Sequence, residues 1–162
     1  MTRDVELIVR DSVSMRLWST AFESGAALPQ DHVRAGRNVS PDLSWSGIPA
    51  DTAEMVVTCV DADAPLLRGA VHWIVCSIPP DVSGISEGGG DEFIVGELSS
   101  GLIGYNGPNP PVGHGVHHYF FWLYALDVSL GLPWGVRYAD VIDAMDGHVL
   151  AQQRLVGTYV AG

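Results

Sequence analysis

The sequence predicts an all-β chain, an antiparallel β-sandwich with short C-terminal helices, on three observations. Apolar runs of strand length recur between turn-rich segments, at residues 5–10, 55–60, 71–78, 117–126 and 155–160. Helical spacing occurs once, late in the chain. Strands and helices do not alternate, which argues against a parallel sheet with crossover helices.

Each element follows from its residues. The N-terminal run alternates charged and apolar side chains, and the run at 55–60 is almost wholly apolar. Residues 71–78 and 117–126 are apolar on both alternating faces, with Val71, Trp73 and Val75 opposing Ile74, Cys76 and Ile78. Strands of that kind lie between two layers. Residues 84–90 and 97–107 are rich in Gly and Ser and read as loops, the mobile parts of the chain. Tyr138, Val141, Ile142, Met145 and Val149 mark one helix face, and Gly147 splits it into two short helices. With no repeat and no low-complexity linker, a single domain over residues 1–162 is expected.

Composition narrows the function. Of 162 residues 47% are apolar and 17% charged, enough for a sizeable core. All eight basic residues are Arg against 19 acidic ones, for a formal charge of -11. That balance argues against a nucleic-acid partner and against electrostatic adsorption to an anionic membrane. The longest apolar stretch, near residues 120–126, is far short of the roughly 20 residues of a spanning helix, so neither integral membrane association nor a signal peptide is expected. Cys59 and Cys76 sit inside apolar runs and read as buried free thiols, consistent with a cytoplasmic location.

Three segments place ionisable groups at the ends of hydrophobic strands. Asp61-Ala62-Asp63-Ala64-Pro65 follows the run MVVTCV, and Pro65, lacking an N–H, ends the ladder there. His72 precedes Trp73 at the start of a second strand. The third segment, from Gly107 to Tyr119, is stiffened by Pro108, Pro110 and Pro111 and shaped by Gly113 and Gly115. His117 and Tyr119 share a face of the strand it enters, and His118 takes the other. Carboxylates bonded to imidazoles would orient the rings and favour their protonated form, giving N–H donors for an anion. Backbone N–H groups near Gly113 and Gly115, with the Tyr119 hydroxyl, would complete a phosphate shell. Taken alone, His32, His114 and His148 read as satisfied or solvent-facing, and Asp61 and Asp63 as turn caps.

Together, NVSPDLSW, DADAP, HW, GPNPPVGHGVHHYFFWLYALD, GHVL and GTY resemble the phosphatidylethanolamine-binding protein family, in its bacterial Raf-kinase-inhibitor-like branch. The resemblance runs from about Ser14 to Tyr159. It implies a β-sandwich with a small preformed anion pocket near one end. The family's ligand-binding residues fall on Asp61, Asp63, His72, His117 and Tyr119, with a rim of Pro108, Pro110 and Pro111. Ala62 replaces the motif's proline, Ala70 stands where eukaryotic members have an aromatic wall, and Asn109 where many bacterial members have cysteine. A more open or differently lined pocket follows.

The expected function is non-catalytic binding of a small anion or phospholipid head group, with a regulatory, kinase-inhibitor-like role and a homodimer both compatible with it. The alternative is a small-molecule isomerase or cyclase in which Asp61, His72 and His117 are catalytic through acid–base chemistry. No covalent-nucleophile motif, phosphate-binding loop or zinc spacing occurs, so neither a cofactor nor a metal is expected.

Overall fold

The computed structural model describes residues 14–162, and the strand expected at 5–10 lies outside them. Eight strands and one helix follow in order: β1 (Arg16–Trp18), β2 (Leu43–Ser46), β3 (Glu54–Asp61), β4 (Ala70–Ile78), β5 (Gly84–Ile85), β6 (Ile94–Val95), β7 (His117–Leu126), α1 (Tyr138–Met145) and β8 (Val149–Tyr159). A 3₁₀ turn, Gln30–His32, lies between β1 and β2. The strands form two antiparallel sheets, β1-β2-β5 and β6-β4-β3-β7-β8. The all-β sandwich expected from the sequence is the fold observed.

The centre of the five-stranded sheet, β3 and β4, is buried on both faces, whereas β7, expected between two layers, buries one face and leaves His118 exposed and Phe120, Trp122 and Tyr124 half-buried on the other. Met55, Val57, Cys59, Trp73, Val75, Phe121 and Leu123 pack inward against Leu43 and Trp45 of the small sheet. Val56, Ile74, Cys76 and Leu126 pack on the other face, against Val141 and Met145 of α1 and the loop residues Leu98 and Val136. Every residue of β3 is buried. At roughly 1.5–3 kcal/mol for each fully buried large apolar side chain, this two-sided packing holds the centre of the sheet rigid, and β3 delivers Asp61 from it.

Two breaks in the alternation of β4 matter. The register between β3 and β4 shifts between Cys59 and Val60 and between Met55 and Val57. Val71 therefore joins the outer cluster while Trp73 and Val75 join the inner one, and Ile78 returns to the inner face. Strict alternation had put Val71 with Trp73. A bulge adds one residue and re-aims its neighbours, and the residue it inserts beside Trp73 is His72.

The C-terminal region holds one helix, not two. Gly147 takes a left-handed φ of 78° just past the helix end, where an L side chain is strained and glycine is not. The chain then turns into β8, so Val149 belongs to a strand and pairs with Leu126. The Gly-rich segment at 84–90, expected as loop throughout, supplies Gly84 and Ile85 to the edge of the small sheet, and a Cβ at Gly84 would crowd the Leu43 carbonyl. Among the described residues no helix is long and apolar enough to cross a membrane.

Cys59 and Cys76 are free, buried, and on opposite faces of the large sheet. Burial pushes the Cys59 thiol well above its ordinary pKa and the Cys76 thiol up to about 12, with nearby Asp61 and Glu54 adding to the respective shifts. A thiol reagent near neutral pH is expected to modify both no faster than the chain unfolds, and both together in denaturant. Fast modification of the native protein, or a disulfide joining the two, would contradict this packing.

Candidate functional site

Asp61, the last residue of β3, pairs with Ala70 of β4 and with Tyr119 of β7. It follows the inward-facing Met55, Val57 and Cys59, so its carboxylate enters the sandwich from the sheet's end. His117 Nδ1 lies 2.6 Å from Asp61 Oδ2, with both side chains 4% exposed. A carboxylate oxygen here accepts, so Nδ1 carries the donated hydrogen and Nε2 remains as the ring's uncommitted nitrogen. The second oxygen, Oδ1, accepts the Asp63 N–H at 2.9 Å and shapes the turn that follows.

Asp63 goes elsewhere. Its Oδ2 accepts both the backbone N–H and Nδ1–H of His118, at 2.7 and 2.8 Å, on the exposed side of β7. The His118 hydrogen bond holds the Asp63 carboxyl below its ordinary range despite a small opposing desolvation. Two successive carboxylates thus clamp the turn after β3 to two successive histidines of β7, and only the Asp61 pair faces the cleft.

His72 reaches the cleft through the β4 bulge. Its Nδ1 lies 2.7 Å from the Asn106 carbonyl, and Asn106 N–H donates back to the His72 carbonyl at 3.0 Å. A carbonyl only accepts, so Nδ1 is the protonated nitrogen. Burial lowers the His72 pKa, and the Asn106 bond and the Asp61 charge only partly offset it. Near neutral pH the ring is therefore uncharged and its Nε2 is a bare acceptor. This corrects the sequence expectation of a protonated, donor-rich imidazole at this position.

The Tyr119 ring meets His72 edge-on at 5.3 Å. Its hydroxyl is buried and makes no well-formed hydrogen bond with any described group. Burial first, and then Asp61, push its pKa up, so it keeps its proton. A buried hydroxyl without a partner is a group that a ligand can satisfy.

These side chains border a cleft of about 270 Å³ whose wall includes Arg34, Asp61, Ala70, His72, His117 and Tyr119. Pro110 and Pro111 are among the residues that line the cleft. Pro108 does not face the cleft; it is buried, and its carbonyl accepts the Arg34 N–H at 3.0 Å. Gly113 and Gly115 adopt left-handed φ values in the turn beyond Pro111 and stand apart from the wall. His114 stacks on the His117 ring at 5.9 Å. Among the described residues no three His, Cys, Asp or Glu side chains are grouped to hold a metal ion.

Sequence reasoning missed Arg34, Ser99, Ser100 and Asn106 in the wall. Ser99 Oγ accepts the Val71 N–H at 2.7 Å and ties its loop to the start of β4. Asn38, in a left-handed conformation, accepts the Gly107 N–H at 2.7 Å through Oδ1 and donates to Asn106 Oδ1 at 3.2 Å. Asn38 opens the NVSPDLSW motif, so the motif was visible although its task, holding residues 106–107 beside the cleft, was not.

Comparison with known proteins agrees with this fold. A family model described as phosphatidylethanolamine-binding protein matches residues 18–160. A UPF0098 protein of Methanothermobacter thermautotrophicus is 41% identical over 154 residues, covering 91% of this chain and all of that one. Two solved structures superpose with a TM-score of 0.86, each covering 92% of this chain and 99% of its own. One is CT736 of Chlamydia trachomatis, a homologue of phosphatidylethanolamine-binding protein, at 37% identity, and the other is Escherichia coli YbcL, a member of the mammalian family, at 28%. With its sandwich fold and the Asp61, His72, His117 and Tyr119 cleft in place, the chain belongs to the phosphatidylethanolamine-binding protein family.

Proposed function

We propose that this protein binds a small anionic group, phosphate or carboxylate, in the cleft at the end of β3. The observation that supports this best is the pairing of a buried donor with a cation: the Tyr119 hydroxyl, which meets no group in good hydrogen-bond geometry, borders one small cleft that Arg34 also lines. The volume suits a head group or a small metabolite rather than a whole two-chain lipid. A regulatory role of the kinase-inhibitor-like kind would act through occupancy of this cleft.

A second reading, acid–base catalysis, draws on the same Asp61–His117 pair, which orients an imidazole toward the cleft beside a phenol that keeps its proton. Asp61→Asn separates the two. Anion affinity is expected to fall by about 1–3 kcal/mol, the worth of a lost charge-assisted partner, with the fold retained. A binder shows no turnover before or after the change, whereas an enzyme loses at least about a hundredfold in rate. Affinity unchanged by Asp61→Asn would remove the cleft as the binding site.

The pH dependence follows from His72. Its folded pKa lies below the ordinary 6.5, and a bound anion raises it, so binding takes up a proton. Affinity for sulfate, whose charge is constant in this range, should rise in its His72 contribution as the pH falls through the bound-state value, and go on rising below 6.5 until the lowered free-state value is passed. Without ligand, the unfolded chain protonates this imidazole near 6.5 while the folded chain does not. Stability should therefore decline as the pH falls from 6.5 toward the lower folded value. Sulfate titrations by calorimetry test the first point, and a gain confined to the range above 6.5 would contradict it.

A further inference from the structure

Arg34, an exposed residue, is the one permanently positive residue among those that line the cleft. Among the described residues no carboxylate pairs with it, whereas Arg37 and Arg137 sit 3.4 Å from Asp31 and Glu97. Arg34 is placed by close backbone packing. Gly107 lies against the 32–34 backbone so tightly that a Cβ there would overlap the His32 carbonyl oxygen. The Arg34 N–H donates to Pro108 O at 3.0 Å, and the Tyr105 hydroxyl donates to the His32 carbonyl at 2.6 Å.

The carboxylates are disposed the opposite way. Asp61 is the one acidic side chain in the wall, and its oxygens already accept from His117 and from the Asp63 N–H. Asp63 faces away and is taken up by His118. An ammonium group entering the cleft would find no uncommitted carboxylate in the wall and would come within reach of the exposed Arg34 side chain at its edge. A phosphate would find that guanidinium, which can engage two oxygens at once, and the Tyr119 hydroxyl.

We infer that Arg34 makes this cleft selective for a doubly charged terminal phosphate that carries no neighbouring ammonium, as in a simple phosphomonoester, over one that does carry it, as in phosphorylethanolamine. The inference rests on the anion-binding reading above and specifies its ligand class. With His72 uncharged at and above neutral pH, Arg34 supplies the fixed positive charge there. The same chemistry is presented by a soluble phosphomonoester and by phosphatidic acid in a membrane.

Calorimetry near pH 8 with methyl phosphate and phosphorylethanolamine, with His72 and His117 resonances as the site marker, tests this. Methyl phosphate is expected to bind at least about tenfold more tightly than phosphorylethanolamine. Arg34→Gln is expected to remove about tenfold of the methyl phosphate affinity, with Arg34→Lys recovering part of it. Arg37→Gln, an equal change of net charge outside the cleft, should cost less than about twofold. Phosphatidylcholine vesicles doped with phosphatidic acid separate the sources. Binding of methyl phosphate without vesicle sedimentation assigns a soluble ligand, and sedimentation abolished by Arg34→Gln assigns a lipid one. Equal affinity for the two phosphates, an Arg34→Gln protein that binds as the wild type does, or sedimentation indifferent to that change would overturn the inference while leaving the cleft an anion site. Failure of every anion to move His72 or His117 would remove the site and the inference together.

Discussion

The bond between Asp61 and His117 is the constraint on which the cleft depends. One buried carboxylate closes three pieces of chain onto each other: the end of β3, the turn held through the Asp63 N–H, and the start of β7 held through His117. A charged hydrogen bond in such a place contributes about 1.5–3 kcal/mol net. Removing one partner costs more, about 3–5 kcal/mol, because the other is left buried and unsatisfied. The same charge acts on its neighbours, partly offsetting the desolvation of His72 and helping to keep the Tyr119 proton in place.

The fold makes that bond precise. β3 is buried along its whole length, with a core on each face of its sheet, so Asp61 has little freedom to move. The β4 bulge then turns His72 toward Tyr119, and Asn106 fixes which ring nitrogen carries the proton. Asn38 and the glycine at 107 draw the loop before β2 against the loop before β7, which places Arg34 on the wall. The resulting site combines an imidazole oriented by Asp61, an uncharged imidazole acceptor held by the Asn106 carbonyl, a buried phenol donor and, among its lining residues, Arg34.

Much of this was legible in the sequence. Strands β3, β4 and β7 are long and apolar on both faces, and the helix face at Tyr138, Val141, Ile142 and Met145 is regular, so periodicity found them. The small sheet was not, because strands of two to four residues carry too little pattern to rise above their turns. Half of β8 was missed for another reason. Gln152, Gln153 and Arg154 lie on the sheet's outermost strand, where polar side chains are tolerated, and Gln153 even donates to the Met15 carbonyl. In the site, Asp61, His117 and Tyr119 followed from their positions at strand ends. The separation of Asp63 from the cleft and the neutrality of His72 did not, because both depend on which group each side chain meets across the fold. Arg34 and Asn106 lie in loops whose approach to the cleft is set by tertiary hydrogen bonds, and no local pattern announces that.

The most direct measurement is nitrogen-detected NMR of the histidine rings across pH in the unliganded protein. The account predicts a His117 Nδ1–H protected from solvent exchange by its bond to Asp61, and a His72 ring that stays in the Nδ1–H form at neutral pH and protonates only below 6.5. A His117 ring whose Nδ1–H exchanges freely, together with a His72 that titrates near 6.5 as an exposed histidine does, would contradict it.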